Sequence, residues 1–155
     1  PMWADQHREE FLSLMKTILL MILMLTGGSV QAQTMTELGS LAQLQWQYRV
    51  ILVWTDQEGD YVKQLAEASP GIDDRDILWF VITDKQLRTN YQGKLSSDFR
   101  VDLSLRFGEP RESVVLIGKD GGVKRKRDSL ALSKLFKAID AMPMRKIELK
   151  DKQAK

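Results

Sequence analysis

The chain has 155 residues, room for one domain of ordinary size, and its 43% hydrophobic and 28% charged residues allow a packed core and exclude global disorder. It has no cysteine, which excludes disulfides, thiolate metal sites, dithiol redox chemistry and cysteine nucleophiles. The net charge is +2 and the one histidine, His7, precedes a segment read below as cleaved, so the remaining domain lacks the commonest catalytic side chains and zinc ligands.

Ile18 to Leu25 is an unbroken apolar run, preceded by Lys16 and followed by Gly27, Gly28 and Ser29. Val30 and Ala32 then place small residues at the third and first positions before a cut between Ala32 and Gln33. This is the order of a secretory signal, and the run is shorter than the about 20 residues that span a bilayer. Met15 reads as the natural start, with Pro1 to Leu14 upstream of it.

Thr34 and Glu37 have capping-box spacing, and Leu38, Leu41 and Leu44 recur at helical spacing, which predicts a short helix over Thr36 to Gln45. Arg49 to Trp54 is continuously apolar after its first residue, as a strand covered on both faces must be. Asp60 is expected to cap a helix with Tyr61, Leu65 and Ala68 on one face, stopped by Pro70 and Gly71. Ile77 to Thr83 reads as a second covered strand, parallel to the first. Asp84 to Ser97 is polar and carries no clear pattern. Phe99, Val101, Leu103, Leu105 and Phe107 alternate as in a strand, yet Asp102 could cap a short helix ending at Gly108. Ser113 to Ile117 is a third strand, and Asp120-Gly121-Gly122 marks a hairpin returning through Val123 to Arg127. Ser129 is expected to cap a last helix carrying Leu132, Leu135, Phe136, Ile139 and Met142, with Pro143 as its stop and Met142 and Met144 packed around it. Trp46, Trp54, Trp79 and Phe80 are expected to fill the core.

Charge is divided unevenly. Residues 33–118 carry 9 basic and 13 acidic side chains, and residues 119–155 carry 12 and 5. The basic part includes Lys124, Arg125, Lys126 and Arg127 and a tail expected to be frayed. Such a run can attract an anionic lipid or polysaccharide, although lysines on an edge strand also simply prevent aggregation. No aromatic residue interleaves it, so no base-stacking surface and no nucleic-acid partner are expected. Gly118-Lys119 lacks the upstream glycine and the Ser/Thr of a phosphate loop. Asp73, Asp74 and Asp76 read as a solvated turn. Asp56, Glu58 and Asp60 follow the first strand, where open α/β sheets place ligands, and are the better carboxylate cluster.

The order βαβ, variable region, β-hairpin, α is thioredoxin-like. Val115-Leu-Ile-Gly-Lys-Asp-Gly-Gly-Val-Lys124, followed by Leu135-Phe136 and Ile139-Asp-Ala-Met-Pro-Met-Arg145, resembles the bacterial family catalogued as domain of unknown function 4174. Trp46, Arg49 to Val53, Asp74-Arg75-Asp76 and Leu105-Arg106-Phe107-Gly108 also fit it, and the last of these favours a helix for the alternating segment. The resemblance covers Leu41 to Lys150. It implies a thioredoxin-like α/β three-layer sandwich, a central mixed sheet with helices on both faces, and relatives in animal matrix proteins with sushi repeats. It implies no activity. The thioredoxin site would fall at Thr55 to Asp60, where no Cys-x-x-Cys stands, and the cis proline of thioredoxins is not carried over to Pro110.

The expected organisation is a leader over residues 1–32, the domain over 33–146 and a basic tail over 147–155. The expected function is an exported, periplasmic or secreted, non-redox binding or structural module, with no cofactor or metal and with a protein or anionic-polymer partner. Its candidate binding residues are Asp56, Glu58, Asp60, Lys119, Lys124, Arg125, Lys126 and Arg127, and it would meet a membrane only through its signal. A carboxylate- or metal-assisted enzyme using the loop after the first strand, and a binder of anionic surfaces through the basic part, are the alternatives.

Overall fold

Side chains of a strand alternate between faces, so a strand buried on every residue must lie inside a sheet covered from both sides. Arg49–Trp54 (β1) and Ile77–Ile82 (β2) are buried at all six positions, and Ser113–Ile117 (β4) at four of five. The computed structural model of the chain describes residues 12–16 and 37–154. The chain divides into two units, residues 1–34 and 35–155. Residues 12–16 of the first are helical. The signal residues from Thr17 through the cut at Ala32 and Gln33, with Thr34 and Thr36 of the expected first helix, lie outside the described residues.

In the second unit β1 pairs in parallel with β2 and antiparallel with β4. Leu87–Thr89 (β3) adds an antiparallel edge beside β2, and Val123–Arg127 (β5) one beside β4. The order is β3-β2-β1-β4-β5. Glu58–Glu67 (α1) and Ser69–Asp74 (α2) join β1 to β2, Ser97–Phe107 (α3) precedes β4, and Leu132–Asp140 (α4) and Pro143–Gln153 (α5) close the chain. One face of the sheet (Val50, Leu52, Phe80, Val115) packs under Phe99 and Leu103 of α3 and under Leu41 and Leu44. The other (Ile51, Val53, Trp79, Leu116) packs under Leu65 and Ile72 of α1 and α2 and Leu135 and Ile139 of α4. Two parallel strands, an antiparallel hairpin on the first of them and helices on both faces make this a thioredoxin-like α/β fold.

Several elements differ locally from expectation. The expected helix at Thr36 to Gln45 is one 3-10 turn, Leu41–Leu44, while Leu38 runs extended and bridges to Leu95. Its leucines are buried as their spacing requires. Glu58, not a residue after Asp60, begins α1, with Gln57 at its cap, so Asp60 lies in the first turn, where a negative charge suits the helix dipole. Pro70 does not end the helical region but occupies the first turn of α2, where its missing N–H costs nothing. Pro143 likewise opens α5, so the expected frayed tail is helical to Gln153. Ala131, rather than Ser129, caps α4.

The alternating segment is helical. The Ser96 hydroxyl accepts from the Asp98 amide and caps α3. Asp102, expected as the cap, lies inside the helix, and its carboxylate accepts from the Leu41 amide at 2.9 Å, tying α3 to the 3-10 turn. Phe99 and Leu103 point inward, whereas Val101 and Leu105 are 56% and 82% exposed. Gly108 ends α3 with φ +71°, a left-handed backbone that glycine adopts without strain. The hairpin turn also stands as expected, with Gly121 at φ +79° and the Gly118 amide donating to the Gly122 carbonyl at 2.9 Å. The largest departure is Trp46, which is 64% exposed rather than in the core.

Candidate functional site

A cleft of about 540 Å³ opens where β1 and β2 end, within the size range of small-ligand sites. Trp54, Thr55 and Asp56 from β1 and its exit form one wall, Thr83 and Asp84 after β2 another, and Arg100, Leu103 and Ser104 of α3 with Glu109, Pro110 and Arg111 complete it. Its lining is mainly polar, with charges of both signs. Trp54 packs on Phe107 at 5.6 Å between ring centres, which fixes the apolar floor. An Arg100 guanidinium nitrogen donates to the Thr83 carbonyl, so this arginine ties α3 to the end of β2.

Thr55 is the residue on which this cleft turns. It is buried, and its Oγ1 accepts from the Gln57 amide at 2.9 Å and lies 3.3 Å from Glu112 Oε1, to which it donates. The same Glu112 oxygen accepts from the Asp56 amide at 3.1 Å. The turn from β1 into α1 is thus held by a carboxylate delivered from the far side of the cleft, just ahead of β4.

The acidic cluster Asp56, Glu58 and Asp60 does not converge. Asp56 lines the cleft and is exposed; Asp60 is exposed on α1. Glu58 turns toward β3, accepting from Gln86 Nε2 at 2.7 Å and facing Arg88 at 3.7 Å. Among the described residues no three His, Cys, Asp or Glu side chains come together to hold a metal ion.

The opposite end of the sheet holds a charge network that sequence reasoning missed. Arg49, at the start of β1, and Arg145, on α5, are each only 1% exposed. Burying a guanidinium is unfavourable unless carboxylates and carbonyls surround it. Arg49 donates through both terminal nitrogens to the two Glu148 oxygens at 3.1 and 3.2 Å and to the Arg75 carbonyl at 2.9 Å. Arg145 donates to the Asp74 carboxylate and to the Asp74 carbonyl at 2.8 Å, and lies 3.4 Å from Asp140. Arg75 forks onto Asp140 at 2.7 and 3.0 Å and stacks 4.6 Å from the centre of the Phe136 ring. Of the expected solvated turn Asp73-Asp74-Asp76, Asp73 is exposed as expected, but the other two are paired: Asp74 also with Lys152, and Asp76, with φ +50°, with Lys119 at 2.9 Å.

These contacts shift the carboxylates. The hydrogen bond from Lys152, and beyond it Arg145, holds Asp74 below the ordinary range against the opposing effect of burial. Arg75 does the same for Asp140. At Glu148 burial pushes upward, but the hydrogen bonds from Arg49 and Lys119 outweigh it and the net direction is down. Burial pushes Arg145 down, and Asp74 and Asp140 more than restore it.

Of the basic candidates, Lys119 belongs to this network, 2.9 Å from both Asp76 and Glu148. Lys124 pairs with Asp120 at 2.6 Å across the hairpin turn, which lowers Asp120 with help from the Gly122 amide. Arg125, Lys126 and Arg127 lie on the edge strand β5. The structure therefore separates the proposed site residues: the acidic ones lie at or near the cleft, Lys119 and Lys124 lie at the other end of the sheet, and Arg125, Lys126 and Arg127 run along its edge from there back to the level of Val53. Sequence reasoning misses Glu112, Arg100 and Arg111 because they match no motif and the partners of Glu112 and Arg100 stand 57 and 17 positions away.

No curated protein matches the chain. Solved structures similar to it include a reduced 2-Cys peroxiredoxin from Plasmodium vivax (16% identity, 72% of this chain and 84% of that one, TM-score 0.47). A mitochondrial 2-Cys peroxiredoxin from Plasmodium falciparum is another (12% identity, 65% and 79%, TM-score 0.44). The fold assignment rests on the sheet order itself. The family model for a domain of unknown function, DUF4174, matches residues 40–148, a span that includes β1, Glu112, the hairpin and the Met-Pro-Met-Arg corner. The chain belongs to the DUF4174 family.

Proposed function

We propose that this chain is an exported, non-redox binding module whose ligand enters the cleft at the carboxyl end of β1 and β2. One observation carries the reading: at the exit of β1 the amides of Asp56 and Gln57 are already occupied by the chain's own Glu112 and Thr55. The place is sealed by internal hydrogen bonds, and the chain has no sulfur nucleophile to put there. What remains open to a ligand is the polar rim, with Asp56 and Asp84 on one side and Arg111 on the other, all exposed. Opposite charges across a cleft of this size suit a short peptide carrying charges of both signs. Export is supported by the sequence order of Lys16, the apolar run and Ala32.

The test is calorimetric titration with a pool of short peptides, each bearing one acidic and one basic side chain. Saturable binding that weakens about tenfold in Arg111→Ala is expected, the loss of one charge-assisted contact. Equal binding by the variant would remove the cleft from the account. Catalytic turnover of any substrate that disappears in Asp56→Asn would replace the binding module with the carboxylate enzyme. Mass spectrometry of exported protein is expected to find a chain beginning near Gln33; one that retains Met15 to Ala32 contradicts the cleaved signal.

A further inference from the structure

We propose that the β5 edge of the sheet, from the hairpin turn onward, carries a second binding surface, for a linear acidic polysaccharide, made of Trp46, Tyr48 and the cations of β5. Two independent observations meet there. The first is an aromatic residue where the physics disfavours one. Trp46 is 64% exposed and has φ +68°, a left-handed backbone that bulky side chains rarely adopt. It is held so by its amide, which donates to the Lys119 carbonyl at 2.6 Å, while the neighbouring Gln45 donates to the Asp120 carbonyl at 2.8 Å. Tyr48, two residues on, is 37% exposed and lines a shallow pocket with Gln45, Gly118 and Gly121 of the same turn. Strain kept in a sparsely populated backbone region points toward a use for the side chain it displays.

The second is a contrast in pairing. Arg49, Arg75, Lys119, Arg145 and Lys152 all sit against carboxylates. Arg125, Lys126 and Arg127 form no ion pair among the described residues, and Arg127 Nε is buried with no hydrogen-bond partner there. These three are consecutive on an edge strand that starts at the turn holding Trp46 and runs away from it for about 13 Å, at roughly 3.3 Å per residue, with Arg125 and Arg127 on one face of the sheet and Lys126 on the other, so that together they bracket its outer edge. Unpaired cations spaced along an open edge match repeating anionic groups along a polymer better than one compact anion. The indole face, negative at its centre, stacks on the C–H face of a sugar ring. In sequence the basic run had no aromatic beside it; the fold brings one from 78 residues away, between Trp46 and Lys124. Trp46 and its turn lie at the opposite end of β1 from the cleft, and β5 runs back from there to Arg127, which pairs with Val114 beside Val53; none of Trp46, Tyr48, Arg125, Lys126 and Arg127 lines the cleft, so the two surfaces are tested separately.

The experiment titrates the full chain with heparin and with polygalacturonate, which separate sulfate from carboxylate as the source of charge, across a range of salt. Binding that persists at physiological salt is expected. Trp46→Gly is expected to weaken it about tenfold without lowering the melting temperature, because φ +68° suits glycine. Trp46→Asn, also at ease at positive φ, repeats the test should glycine loosen the turn. Trp46→Phe is expected to restore most of the affinity. The triple change Arg125→Gln, Lys126→Gln, Arg127→Gln is expected to reduce the slope of log affinity against log salt by roughly two to three. Wild-type affinity in both Trp46→Gly and Trp46→Asn, or binding lost at physiological salt, would overturn the proposal in favour of plain edge-strand protection. A DNA duplex or phosphatidylglycerol vesicles losing as much affinity on Trp46→Gly as the polysaccharides do would overturn the polysaccharide as occupant.

Discussion

At the amino end of β1, Arg49 is buried among Glu148 and the Arg75 carbonyl; at its carboxyl end, Thr55 is as deeply buried between Glu112 and the Gln57 amide. The first end places full charges in the interior, each tied to α5 or to the turn before β2. The second uses a neutral hydroxyl and one half-open carboxylate, and leaves its other charges in solvent. Buried pairs are costly to break and say little about ligands, whereas unpaired polar groups around a concave surface are what a ligand meets. The difference assigns fold fastening to the base and recognition to the cleft.

The contrast breaks most visibly on truncation. Arg145→Ala removes the buried guanidinium that ties Asp74 to Asp140, which keep Lys152 and Arg75 as partners, and is expected to destabilise the domain by about 1.5–3 kcal/mol in urea unfolding. Arg111→Ala at the cleft rim is expected to change it by less than about 0.5 kcal/mol. Equal losses would erase the distinction.

Acid is expected to act on the base as well. Asp74, Asp140 and Glu148 have folded pKa values below their unfolded ones. The unfolded chain therefore binds more protons, and stability rises with pH in that window. The contribution is complete above the ordinary carboxylate range near pH 4 and is lost as pH falls through the lowered folded values. Urea midpoints measured from pH 6 downward are expected to fall below about pH 4.5, and to fall less in Glu148→Gln, which starts lower. A midpoint independent of pH contradicts the network.

Thr55→Val makes a smaller change. It keeps the shape and removes the hydroxyl between Glu112 and Gln57, which is expected to cost about 1 kcal/mol. A loss as large as that of Arg145→Ala would make the cleft floor a second fastening point.

What was legible in sequence follows from range. β1, β2 and β4 were readable because a strand covered on both faces must be apolar at successive positions, and the hairpin because Gly121 has to reach positive φ. The helix at α3 was ambiguous for a physical reason: Val101 and Leu105 are apolar yet exposed, so they fill in a period of two over a buried period of four. Proline breaks helix interiors, so Pro70 and Pro143 read as stops, but both stand in first turns, where it is equally at home. Hydrophobicity alone points Trp46 to the core, yet it is 64% exposed. The network was invisible because Arg49 and Glu148 are 99 positions apart and Arg145 and Asp74 are 71 apart. The cleft clasp hides in the same way, Thr55 and Glu112 being 57 apart.

The division between a fastening base and a receiving cleft is tested most directly by mapping backbone amide resonances of the labelled chain with and without the mixed-charge peptide pool. The account predicts shifts gathered at Asp56, Asp84 and Arg111, with Arg49, Lys119 and Arg145 unmoved. Shifts gathered at those three base residues, with the cleft silent, would contradict it.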